Sequence, residues 1–445
     1  MQANPIRRIG SWAELSPEQR RRAVTRGLDQ IFDPALREDI ARLIEDVRAN
    51  GDAALVRALK AFDGCDVDAS RLRVTDAEFA AARASVSPAL LDAIRDGIDH
   101  VRRFNEQVTA RGDWSFESEP GLVVGEKVTP IASAGLFVPS GKASYPSVLI
   151  QLGTPAVVAG VPEIAVIVPP VPGSAGEVDS ALLVAAAELG LTNVYRSNGP
   201  AGIAALAFGT ETVPRVRKVV GPGSPAVTCA QIEVQRHGTV TTMLLGPSES
   251  LIIADDGADP RLLAADLLNE AEHGPDSSSV LVTDSEPLLA RAQEEAGRQL
   301  ADLPEPRRGY AARSLGENGG AILVRDMAEA AEVANAYAPE HMQIAVRDPD
   351  GLLARLTNAG EILVGQWTPV SAANFIIGCP ASLPTSGFAV VSSGITADAF
   401  RKRTAVARAD QRALRRMSDS IIAFTQHEGF PAHEAAVRIR LGNLG

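Results

Sequence analysis

Histidine is scarce in this chain, six in 445 residues, and two of the six stand beside carboxylates at spacings that suit chemistry. Glu270 and His273 are three apart in LLNEAEHGPD, a segment that reads as the end of a helix. At that spacing the two side chains share one helix face. A carboxylate and an imidazole so placed suit a divalent transition metal, although most single Glu-x-x-His pairs are plain surface residues. Gly274-Pro275 stops the helix directly afterwards and puts the pair at an element terminus. The second Glu-x-x-His that a di-iron bundle requires is absent. Glu340 and His341 follow Pro339 and open a strand. At one loop–strand junction they suit general-base and proton-transfer roles, or they form an ordinary surface pair. His433 lies in the tail, five residues after Glu428, while His100 and His237 sit among charged residues and read as surface. Cys379, in a Gly-Cys-Pro turn, is a reactive thiol or a small apolar filler.

Two glycine loops add a second kind of candidate. Gly135-Leu-Phe-Val-Pro-Ser-Gly141 and Gly221-Pro-Gly223-Ser224 each fall between a strand and a helix. Glycine there permits close backbone approach, and a helix N-terminus favours an anion. Neither loop is a GxGxxG fingerprint or a Walker loop, so each is equally a plain tight turn.

The elements that must position these residues change character along the chain. Up to about residue 110 the pattern is helical. Ser16-Pro17 and Asp33-Pro34 are helix starts, Ile40, Leu43, Ile44 and Val47 follow at helical spacing, and Gly51 is an expected stop. From about residue 120, short β-rich runs alternate with Ala-rich helices. Strands are expected at 164–168, 193–196, 216–220, 251–254, 279–283, 321–324, 342–346 and 361–364, with helices such as 179–189 and 327–337 between them. That alternation predicts parallel sheets in an α/β fold, as two doubly wound units. The last fifty or so residues turn helical and basic at Arg401, Lys402, Arg403, Arg412, Arg415 and Arg416. Asp410 and Asp419 interleave them, which reads as a solvated helix face.

Composition narrows the function classes. With 43 Lys+Arg against 55 Asp+Glu the net charge is −12, which argues against a general phosphate-backbone binder. No apolar run reaches the ~18 residues of a membrane span, so no membrane partner is expected. The opening MQANPIRRIGSW has no apolar signal core. Three widely spaced cysteines, Cys65, Cys229 and Cys379, form no disulfide framework, and the expected location is a reducing cytoplasm.

The segments GLFVPSG, IAALAFGT, VGPGS, GPSES, EAEHGPDS, APEH, SLPTSG and AHEAAVRIR resemble those of the histidinol dehydrogenase family, in order and spacing, from about residue 30 to the end. The resemblance implies a homodimer of two Rossmann-like domains with a swapped C-terminal helical tail. It also implies zinc, NAD and two successive oxidations, from amino alcohol through aldehyde to carboxylate. The domains expected on it are a helical arm at 1–30, a first Rossmann-like domain from 31–130 and 249–395, a second from 131–248, and a dimerisation tail at 396–445. By position, Glu340 resembles the water-activating carboxylate and His341 the general acid/base. His273 and His433 resemble zinc ligands, His433 acting from the partner subunit, and Ser248 and Glu428 resemble substrate contacts.

The chain also departs from the family. Glu270 stands in place of a Gln ligand and Asn374 in place of an Asp ligand, two changes that cancel in charge. Ala381 replaces a substrate-pocket histidine. The cofactor-contact positions are Phe137 for Tyr, Ala201 for Gln and Ser224 for Asn, which removes hydrogen bonds to NAD. Lys142 is expected to pair with an anionic group of the substrate. The resulting expectation is a metal-dependent enzyme, NAD-linked, acting on a small polar alcohol or aldehyde other than histidinol. A metal enzyme of the same fold without redox chemistry, and histidinol dehydrogenase itself, are the alternatives.

Overall fold

The computed structural model describes residues 5–26, 31–140, 144–242 and 246–442. Its strands are β1 (Arg8–Ser11), β2 (Trp114–Glu119), β3 (Leu122–Pro130), β4 (Ser133–Phe137), β5 (Glu163–Val168), β6 (Val194–Arg196) and β7 (Lys218–Val220). They continue as β8 (Val240–Thr241), β9 (Glu249–Ala254), β10 (Ser278–Thr283), β11 (Gly320–Leu323), β12 (His341–Ala345), β13 (Glu361–Val364) and β14 (Arg401–Ala409).

Two parallel sheets carry the molecule. One runs β6-β5-β4-β7-β8 and the other β1-β11-β10-β9-β12-β13. In the first the chain starts in the middle at β4, moves outward by two strands and returns to the other side; the second does the same from β9, with β1 added at its edge beside β11. The switch points therefore lie between β4 and β7 and between β9 and β12. The inner strands of both sheets are Val/Ile/Leu-rich and buried on both faces, as parallel strands covered by helices must be. A separate antiparallel sheet, β14-β3-β2, is largely solvent-exposed.

Local signals explain most helix starts. Ser16 with Gln19 and Thr75 with Glu78 form capping boxes, and Asp33, Ser87, Asp179 and Asp259 each accept a backbone N–H at a helix start. Gly51 does not stop its helix. It kinks Pro34–Phe62 at φ 50°, ψ −132°, and the helix resumes because the Asp52 N–H is taken by Glu211 Oε2 at 2.8 Å.

Three expectations are corrected. The N-terminal arm is not only helical, because β1 pairs in parallel with β11. The tail is not only helical, because residues 401–409 form β14 along β3. The helices within 34–109 do not pack on the 249–395 sheet. Ile40, Ile44, Val47, Leu55 and Leu59 share a core with Ala165, Ile167 and Val219, while Ile94, Ile98 and Val101 meet Leu136, Val166 and Leu149 on the opposite face. Apolar periodicity reveals that these helices bury a face, but not which sheet covers it.

Candidate active site

A cleft of about 400 Å³ lies where the C-terminal ends of β4 and β7 face the N-terminal ends of β9 and β12. From the first sheet come Pro139, Ser140 and the Pro222–Pro225 turn. From the second come Ser248, Glu270, His273, Glu340, His341, Asn374 and Ala381. Among the described residues lining it there is no Lys or Arg.

Each chemical group is placed by a local device. The helix Met327–Tyr337 ends at Ala338, whose left-handed backbone (φ 49°, ψ 64°) turns the chain into β12 within one residue of Pro339. Glu340 and His341 therefore emerge at the sheet edge. Glu340 Oε2 accepts the Glu249 N–H at 3.0 Å. Glu249 in turn is held by Arg26 and by the Ser386 N–H at 2.6 Å. Helix Pro260–Ala271, started by Asp259 and Pro260, delivers Glu270 at its last turn, and the turn beyond it delivers His273. His273 Nδ1 lies 3.6 Å from Glu270 Oε1 and 3.2 Å from the Asn269 carbonyl.

His341 is nearly enclosed. Its Nδ1 lies 2.5 Å from Glu361 Oε1, and its Nε2 3.8 Å from Glu340 Oε1. Burial opposes a charged ring, but Glu340, the Glu361 hydrogen bond and Glu270 outweigh it and push the imidazole up to about 10. Burial raises the Glu340 carboxyl well above the usual range, with Glu270 and Glu249 adding to it and His341 opposing.

The residues fit a divalent cation. Both carboxylate oxygens of Glu270 are buried without a hydrogen-bond partner. Ligand atoms of Glu270, Glu340 and His341 lie within 4.8 Å of one another. Glu270 and Glu340 set two buried carboxylates against one ring, His341, with no Lys or Arg among the described lining residues, and oxygen and imidazole donors suit a zinc-type ion.

The sequence profile of the family described as histidinol dehydrogenase matches residues 29–441. The chain belongs to the histidinol dehydrogenase family. Within it, the chain is 39% identical over 432 residues to the histidinol dehydrogenase of Xanthomonas campestris pv. campestris (strain 8004), covering 97% of this chain and 98% of that one. It is 42% identical over 402 residues to a protein named histidinol dehydrogenase homolog in Rhizobium meliloti (strain 1021), covering 90% and 87%. The crystal structure of histidinol dehydrogenase from Elizabethkingia anophelis superposes with a TM-score of 0.93 over 100% of both chains, at 30% identity. Family membership makes this an oxidoreductase-type α/β chain, and the family is generally dependent on NAD and zinc. Among the described residues, no helix is long and apolar enough to cross a membrane.

Set against the histidinol dehydrogenase pattern, the cleft gathers Glu340, His341, Glu270, His273, Asn374, Ser248, Ala381 and Ser224. It does not gather the rest. Glu428 and His433 are exposed on the tail and do not line their own chain's cleft. Phe137 and Ala201, expected to touch a cofactor, are 2% and 0% exposed in the core beside the β4–β8 sheet. The glycines of the 221–224 turn are explained by packing. A Cβ on Gly221 would lie 2.0 Å from the Phe137 carbonyl, and one on Gly223 would lie 2.5 Å from Val227. They do not by themselves attest a phosphate cradle. Lys142 lies outside the described residues. Sequence reading missed Glu361, Glu249 and Gln151, whose Oε1 accepts the Ala381 N–H at 3.3 Å. The signal for Glu361 was a charge at the first position of an otherwise apolar strand.

Proposed function

We propose that this protein is a metal-dependent, NAD-linked dehydrogenase of a small polar alcohol or aldehyde other than histidinol. The observation that supports the departure from histidinol is Ala381. It places a methyl in the cleft where the family pattern has an imidazole, with its N–H already engaged by Gln151. A substrate group that needs that imidazole is left unpaired, and such mismatches lower kcat/KM by orders of magnitude.

Glu270, His273 and Asn374, with the partner subunit's His433, are the residues that would hold the metal. When bound, a divalent ion polarises the substrate oxygen. The neutral form of His341, made strongly basic by the carboxylates around it, takes the hydroxyl proton at Nε2. Glu340, kept basic by burial, activates water against an aldehyde in a second oxidation. The exposed tail, with Phe424, Phe430 and Ile439 uncovered, supports a homodimer whose sites are shared between subunits.

The test is a steady-state assay of zinc-loaded protein with saturating NAD and L-histidinol, beside the Ala381→His variant. Negligible turnover in the unmodified protein is expected. Turnover near ~10 s⁻¹ would instead identify histidinol dehydrogenase itself. A second reading, a metal enzyme without redox chemistry, is favoured by the burial of Phe137 and Ala201. Calorimetric titration with NAD separates the two, since only the first requires binding.

A further inference from the structure

We propose that Glu361 is a positioning residue for this site: its carboxylate holds the Nδ1–H of His341, fixes the ring with Nε2 toward the cleft, and stabilises the positive charge the ring acquires on accepting a proton. The catalytic half rests on His341 being the proton acceptor; the contact itself does not.

The pairing is built into the sheet. β12 and β13 are parallel, and His341 is in register with Glu361. Residues in register on adjacent strands point to the same face, so the two side chains meet at the sheet edge. Gly360 permits the approach, because a Cβ there would lie 2.5 Å from the Glu340 carbonyl. The backbone closes the same corner, with the Glu361 N–H on the Glu340 carbonyl at 3.1 Å and the Gly360 N–H on the Pro339 carbonyl at 2.9 Å. Both side chains are withdrawn from water, His341 at 3% and Glu361 at 6% exposure.

The geometry also orients the ring. Nδ1 has a partner at 2.5 Å, while Nε2 is 3.8 Å from Glu340, beyond hydrogen-bond reach. Nδ1 is committed and Nε2 remains for chemistry. From the neutral ring, which carries its proton at Nδ1, Nε2 accepts the proton as a substrate O–H bond breaks, and the ring becomes the imidazolium. Its Nδ1–H stays on Glu361, which remains ionised, the role a buried carboxylate plays behind a catalytic histidine. A purely structural role accounts poorly for this carboxylate. It stands on an edge strand where apolar residues of similar volume would pack at least as well, and its Oε2 has no hydrogen-bond partner.

The experiment is proton NMR of the full-length, zinc-loaded protein labelled with ¹⁵N-histidine. The expected result is a strongly deshielded, exchange-protected Hδ1 resonance, assigned to His341 by its loss in His341→Gln. It disappears in Glu361→Ala and moves to a less deshielded position in Glu361→Gln. Absence of the resonance in the unmodified protein overturns the proposal, as does its survival in Glu361→Ala. If Glu361→Ala does not fold, an unchanged resonance in the isosteric Glu361→Gln overturns it equally. The readout needs no substrate, so failure of the proposed reaction and failure of this contact are told apart.

Discussion

The guanidinium of Arg26 lies over the ring of Tyr337, 3.4 Å from its centroid, and pairs at its edge with Glu249. Tyr337 in turn shares a hydrogen bond with Ser278 at 2.9 Å, and the Glu249 N–H donates to Glu340. Arg26, two residues beyond the helix Pro17–Val24, thus ties together the helix before β12, the start of β9 and the carboxylate at the centre of the site.

Removing that tie leaves a buried charge alone. Glu249 is 3% exposed at its side chain and burial already raises its carboxyl, so Arg26→Met strands it. Breaking such a pair costs about 3–5 kcal/mol. Urea denaturation should show that loss, with Arg26→Lys intermediate because it keeps the charge but not the planar stacking. Unchanged stability in Arg26→Met would mean that Glu249 is held without it.

The unpartnered Glu270 carboxylate predicts about one zinc-like ion per chain in protein purified without chelator. Chelation should lower Tm, because a ligand that binds only the folded state stabilises it by mass action. Glu270→Ala should lose the ion and the chelator response together. Elemental analysis showing no metal, with a Tm indifferent to added zinc, would sink the assignment.

The two groups at the start of β12 should separate in their effects. His341→Gln removes the proton acceptor and should slow turnover by about 10²–10⁴-fold. Glu340→Gln should spare an alcohol-to-aldehyde step and block the water-dependent second one, so that aldehyde accumulates. Equal product at an equal rate from Glu340→Gln and the unmodified enzyme would remove the water-activating role.

Because His433 is exposed on the tail and does not line its own cleft, sites should be completed between subunits. Mixing His433→Ala chains with Glu340→Gln chains should restore up to about a quarter of the sites on random pairing. Mixed dimers verified by mass that remain inactive would place the whole site within one chain.

What the sequence determined by itself is what local rules govern. Ser16, Asp33 and Asp259 start helices because a side-chain oxygen before a first turn satisfies a free N–H. Short β-branched runs became β5, β9 and β10, and Glu270 with His273, and Glu340 with His341, were marked by spacing and position alone. Only the tertiary structure decided that β1 lies beside β11, that the early helices cover the β4–β8 sheet, that Phe137 and Ala201 turn inward, and that Glu361 meets His341. Capping and periodicity act over a few residues and are written where they act. Strand register and the choice of a covering sheet are settled by which distant apolar faces bury each other and which backbone groups then pair. A twenty-residue separation, such as that between His341 and Glu361, is closed by that packing and leaves no trace in local pattern.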